Sequence, residues 1–187
     1  MSVEYCVVRV SPKIFEQIQQ KPDVLHDLMD EFYRSSADNS QAKEYIDSRE
    51  AFRGLPIMAP QSLRMLYVDE FTTSLLVNFT NESSAYFVAL VGWGNAHILE
   101  SVSYGYGDIS YYPPNQVAIV AIELNATPQE FLEEWFKEQA DNFRRSAAGY
   151  FRDDQAILAH QHTFADFLCR FYDEAVHDGN FVLLLIV

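Results

Sequence analysis

A chain of 187 residues, 49% hydrophobic and 21% charged, has the composition of one ordinary globular domain and not of a disordered or fibrous segment. Its formal charge of −14 at pH 7, with a pI near 4.6, repels phosphate backbones and anionic lipid, which disfavours nucleic-acid and membrane-surface roles and favours a basic partner. The two cysteines, Cys6 and Cys169, are too few and too distant for a zinc site or a secreted-type disulfide framework, and reduced thiols are expected.

Glu4–Val10 is short and β-branched and is predicted as a buried strand. Ser11-Pro12 supplies a helix N-cap followed by proline at the first helical position, where a missing N–H costs nothing. Ile14, Phe15 and Ile18 give that helix one apolar face. Lys21-Pro22 restarts a helix in which Val24, Leu25, Leu28, Met29 and Phe32 recur at spacings of three and four. Arg34–Gln41 is polar and is predicted as a loop. A short helix over Lys43–Phe52 is expected to end at the breakers Gly54, Pro56 and Pro60. Thr72–Phe79 and Ala85–Val91, rich in β-branched and aromatic residues, look strand-like. A helical run over Ser62–Leu76 fits as well, and short apolar runs do not decide between the two. Asn78-Phe-Thr80 and Asn81-Glu-Ser83 match the glycosylation acceptor pattern. No secretory signal precedes them and no apolar run reaches membrane-spanning length, so they read as coincidental and the protein is expected in the cytoplasm.

Tyr104–Val117, YGYGDISYYPPNQV, is the most distinctive stretch of the chain. Its prolines, Pro113 and Pro114, are predicted to open a helix with apolar positions Val117, Ile119, Val120, Ile122 and Leu124. Gly105 and Gly107 are expected to take backbone angles that other residues resist. Thr127-Pro128-Gln129-Glu130 has the form of a capping box, opening a helix to about Arg145 with Phe131, Leu132, Trp135 and Phe136 on one side. Thr163 is predicted to cap a last helix striped by Phe164, Phe167, Leu168, Phe171, Tyr172, Ala175 and Val176, with Gly179 as its C-terminal stop. Phe181–Val187 is wholly apolar and of strand length. It is expected beside the N-terminal strand, central in a sheet covered on both faces. These elements predict an α+β fold: a single domain of amphipathic helices around a small mixed sheet that includes both terminal strands.

Three stretches resemble the YfbM-like family, small bacterial proteins carrying a domain of unknown function. They are MSVEYCVVRVSPKIFEQIQQKPDVLHDLM at the start, GYGDISYYPPNQVAIVAIEL in the middle and FADFLCRFYDEAVHDGNFVLLLIV at the end. The resemblance covers about the first 30 residues and from about 92 onward. It implies one YfbM-like domain over 1–187 with a variable central region at about 34–91. The family's acidic, lysine and tryptophan stretch ending in Leu-His has its nearest counterpart at Ile46–Ile57. There Phe52 stands for the tryptophan and Pro56 for the histidine, and any activity of that stretch is not implied for this chain. The family carries no established reaction, so the resemblance implies a fold more than a function.

The candidate ligand-binding residues are Trp93, His97, Tyr106, Asp108 and Tyr111, drawn from the glycine- and tyrosine-rich stretch 92–112. His97 and Asp108 would form an acid–base pair if that stretch folds into converging loops; hydrogen-bonded structural roles are the ordinary alternative. His160-Gln-His162 places two imidazoles on one side of an extended segment, half of a metal site, against the plainer reading of a solvated loop. Gly92-Trp-Gly94 and Gly105-Tyr-Gly107 lack the third glycine and the strand-to-helix setting of a dinucleotide loop. No catalytic residue, metal or cofactor is assigned. The acidic groups Asp27, Asp30, Glu31 and Glu130, Glu133, Glu134, Glu138 are ordinarily solvated helix faces, and as a contact surface they suit a basic protein partner. The function expected is therefore a non-enzymatic binding or interaction module, in its sharpest form an immunity-like inhibitor of a basic protein. The alternative is a small-ligand binder or enzyme with its pocket at 92–112.

Overall fold

A computed structural model describes residues 5–38, 57–58, 64–68, 84–92, 95–105, 107–128, 130–131, 133–134, 137 and 154–186. The strands are β1 (Tyr5–Val10), β2 (Ile57–Met58), β3 (Arg64–Val68), β4 (His97–Tyr104), β5 (Gly107–Tyr112) and β6 (Phe181–Ile186). The helices are α1 (Pro12–Gln20), α2 (Asp23–Asp38), α3 (Ala85–Val91), α4 (Pro114–Ala126) and α5 (Asp154–His177). The sheet runs in the order β2-β3-β1-β6-β5-β4, and β1 lies against β6 with Val7 opposite Leu184. The terminal strands are thus central neighbours, in keeping with their apolar runs, Phe181–Ile186 throughout and Cys6–Val10 apart from Arg9.

The described pairings are all antiparallel, which corrects the expectation of a mixed sheet. β4 and β5 are joined by a tight turn, and α4 and α5 carry the chain out and back between β5 and β6, so neither connection imposes a parallel crossover.

Side chains alternate across the sheet and sort the core into two layers. Cys6, Val8, Val10, Leu183 and Leu185 pack with Phe15, Ile18, Leu25 and Met29 of α1 and α2. Val7, Val182, Leu184 and Tyr112 pack with α3, α4 and α5. The cysteines belong to opposite layers and are both free thiols, and burial pushes the Cys6 thiol well above its usual range.

Local signals behave as their chemistry dictates. The Ser11 hydroxyl accepts from the Ile14 N–H at 3.3 Å with Pro12 starting α1, and Pro114 starts α4. Gly179 (φ 63°) ends α5 in a Schellman arrangement, its N–H donating to the Val176 carbonyl and that of Asn180 to the Ala175 carbonyl.

Several expectations need correction. Arg34–Asp38 continues α2 and is not loop: polar composition does not end a helix that lacks a breaker. Arg64–Val68 is a strand, which rules out a helix running through Ser62–Leu76. Ala85–Val91 is helix, not strand. Its five central residues are all buried, so no polar face reveals a period of 3.6, and the Ser84 cap and left-handed Gly92 decide the matter. The final helix begins at Asp154, ahead of Thr163, whose hydroxyl donates to the Ala159 carbonyl at 2.8 Å. Thr127 is the C-cap of α4 and its hydroxyl donates back to the Glu123 carbonyl at 2.9 Å, although Glu130 and Phe131 do begin helical backbone. Gly105 has φ 64°, but Gly107 does not share the left-handed region. Lys43–Phe52, Thr72–Phe79 and the helix end near Arg145 lie outside the described residues.

Candidate functional site

His97–Tyr104 and Gly107–Tyr112 form a β-hairpin and not a pair of loops. Gly105 turns the chain between β4 and β5, with Tyr104 opposite Gly107 and a register shift between Leu99 and Ser103. His97 lies directly opposite Tyr111, their rings stacked at 5.3 Å. Tyr111 also touches Phe15 at 4.8 Å, and Phe15 stacks on Phe181 at 4.0 Å. The pair therefore closes the α1 side of the sheet. Asp108 is exposed and opposite Ser103; three positions from Tyr111, it points to the other sheet face about 10 Å along the strand. His97 and Asp108 are thus not brought together. Trp93 and Tyr106 lie outside the described residues.

His160 and His162 stand on α5 and not on an extended segment. His162 Nε2 is 3.9 Å from Glu133 Oε1. Among the described residues no three His, Cys, Asp or Glu side chains converge on a metal-binding geometry.

A cavity of about 250 Å³ opens on the other side of the hairpin, where α3 and α4 meet over the end of β5. Val88, Ile119 and Val120 form its apolar walls, and Asn95, Tyr112, Gln116 and Glu123 its polar ones. Tyr112 is fully buried and its hydroxyl donates to the Val88 carbonyl at 2.9 Å. That carbonyl also receives the Gly92 N–H at 2.9 Å, so both its lone pairs are used and the Tyr112 oxygen keeps only acceptor capacity. On the next residue, the Ala89 carbonyl accepts from the Tyr172 hydroxyl at 2.6 Å. Two tyrosines, one from the sheet and one from α5, thus bond to the last turn of α3: Tyr112 adds a second donor to a carbonyl the helix already uses, and Tyr172 supplies one to the Ala89 carbonyl. Gln116 Oε1 is buried with no hydrogen-bond partner.

Sequence reasoning missed Tyr112, Gln116, Glu123 and Asn95. The signal available for Tyr112 was its place in GDISYY, a β-branched and aromatic run after a glycine turn. Nothing in the sequence marks Gln116 or Asn95.

Burial pushes the buried tyrosine hydroxyls up: Tyr172 well above its usual range, with Tyr112 beside it contributing, and Tyr86 to about 12. A folded-state pKa above the unfolded value gives stability that is intact below about pH 10 and lost as pH rises through the folded value. Stability in urea should therefore fall steeply above pH 10. Tyr172→Phe is expected to flatten that fall by about 1.4 kcal/mol per pH unit, at a cost near neutral pH of about 1–2 kcal/mol for the stranded Ala89 carbonyl. An unchanged alkaline slope in Tyr172→Phe would refute the assignment.

Comparison with known proteins gives two findings. The model of a family described as a domain of unknown function, DUF1877, matches residues 1–185. The solved structure of YfbM from Escherichia coli, itself titled a protein of unknown function, is similar at 16% identity with a TM-score of 0.57, covering 99% of each chain. At that identity the likeness shows the fold alone. No curated protein matches the sequence.

Proposed function

Taking as premise that the chain belongs to the DUF1877, or YfbM-like, family, for which no reaction is assigned, we propose that it acts by binding, as a non-enzymatic module that docks a basic protein. The observation that carries this reading is the outer face of α4. Val117, Val120, Ala121 and Leu124 turn inward, while Ile119 and Ile122 stand 53% and 69% exposed on the opposite side. Both isoleucines are among the apolar positions predicted for this helix, and the fold leaves them outward. Val176, 41% exposed, extends the patch: it lies one turn beyond Asp173, whose carboxylate accepts from the Asn125 amide at 2.8 Å. Exposed Glu123 and Asp173 flank these apolar groups. An apolar centre with an acidic rim, on a chain of charge −14, complements a basic partner surface that carries apolar side chains. An immunity-like inhibitor is the sharpest form of the reading. The separation of His97 from Asp108 weighs against the proton-transfer alternative.

Native-lysate co-purification tests it. Wild type should retain a stoichiometric basic protein, released by moderate salt because rim charges are screened. The Ile122→Lys/Val176→Lys variant should lose that protein while keeping wild-type stability, both residues being on the surface. Recovery of no stoichiometric partner, or of the same one by the variant, would sink the proposal.

Among the described residues, no helix is long and apolar enough to cross a membrane.

A further inference from the structure

The geometry points to the cavity between α3 and α4 as a binding site for an alkylammonium group. Its polar lining offers three acceptors beside the Asn95 amide, which both donates and accepts. Tyr112 has committed its hydroxyl hydrogen to Val88, Glu123 is a carboxylate at the exposed edge, and Gln116 Oε1 is buried with no donor. Among the described residues no lysine, arginine or histidine lines the space. An ammonium, which carries three donors and no acceptor, matches those acceptors. The amide torsion of glutamine is broad and nearly two-fold, so a half-turn presents Oε1 to the cavity when a donor arrives. Val88, Ile119 and Val120 form an apolar wall suited to an alkyl body. About 250 Å³ holds roughly eight groups of water size at about 30 Å³ each, which selects a small amine or the end of a longer one. The surrounding field is of the sign that concentrates cations.

An unpartnered buried amide oxygen costs stability, and an arriving donor is what would recover it. This inference does not rest on the docking of a protein to α4: Ile119 and Glu123 belong to both the patch and the cavity, but Ile122 and Val176, which the docking test alters, do not line the cavity.

Isothermal calorimetry on the whole chain tests it, with n-butylamine as the probe and n-butanol and butyrate as neutral and anionic controls. n-Butylamine should bind saturably and the controls should not. Glu123→Gln, a surface change, should weaken the amine about tenfold, as expected for loss of a charge-assisted contact. Gln116→Met should abolish binding and raise the thermal midpoint, since it removes the unpartnered oxygen. The Ile122→Lys/Val176→Lys variant should bind the amine like wild type whatever becomes of the docking proposal. A lysine amide blocked at its α-nitrogen separates the two sources of this chemistry. Binding of that compound as well as n-butylamine places a lysyl side chain in the cavity, and binding of n-butylamine alone makes the ligand a free amine. Equal binding of n-butanol, no saturable heat with either amine, or an unaltered affinity in Glu123→Gln overturns the site.

Discussion

Gly92→Ala is expected to destabilise the protein by about 2–5 kcal/mol. The left-handed backbone at Gly92, φ 74°, costs an L-residue roughly 1–2 kcal/mol. In addition, a Cβ there would lie 2.6 Å from Leu184 Cδ1 and 2.7 Å from Ala96 Cβ, and overpacking of a filled core adds about 1–3 kcal/mol. Leu184 belongs to the central strand β6 and cannot retreat without disturbing the core beneath α3. Gly179 is the internal control. Its φ is 63° but a Cβ would meet nothing within 4 Å, so Gly179→Ala should cost only the backbone contribution, about 1–2 kcal/mol. Urea unfolding of the two variants checks the difference. Equal losses would show that the close approach at Gly92 is relaxed at no cost.

The second large effect lies at Arg9, almost wholly buried in β1 yet charged. Its Nη2 is 2.8 Å from Glu174 Oε2 on α5, and its guanidinium lies 5.3 Å from the centre of the Phe171 ring. Removing one partner of a buried pair typically costs about 3–5 kcal/mol, because the remaining charge stays in a low dielectric. Glu174 keeps some contact with water, its side chain 36% exposed, so Glu174→Ala is expected to cost somewhat less, about 2–4 kcal/mol. Replacing both partners with apolar residues, Arg9→Met with Glu174→Leu, should be less destabilising than Glu174→Ala alone, since neither charge of this pair then remains. Equilibrium unfolding in urea of the single and double variants decides it. A double variant as unstable as Glu174→Ala would mean that Arg9 acts through its packing on Phe171 and not through its charge.

Both effects arise where elements distant in sequence press together, and that is also where the sequence stopped being legible. Ser11-Pro12, Pro113-Pro114 and Gly179 acted as read, because a cap or stop is a matter of bonds within four or five residues. Glu4–Val10 and Phe181–Val187 were identifiable as covered strands, because runs this apolar leave little face for water, with Arg9 the exception that needs Glu174. Ala85–Val91 has that same composition, and the rule that found the strands misassigned it.

What the chain by itself determined is therefore its class, the positions of several helix ends, its two central strands and its acidity. The hairpin placing His97 over Tyr111 and away from Asp108 was decided only by the fold, as cross-strand register fixes which residues share a face. So was the exposure of Ile119 and Ile122: an apolar residue on a helix is core or surface according to what its neighbours cover, and α3, α5 and the sheet cover only the other side of α4. The cavity is the clearest case. Val88, Asn95, Tyr112, Gln116 and Glu123 have no motif in common, and they form one site only because packing of α3 and α4 over β5 leaves a gap between them.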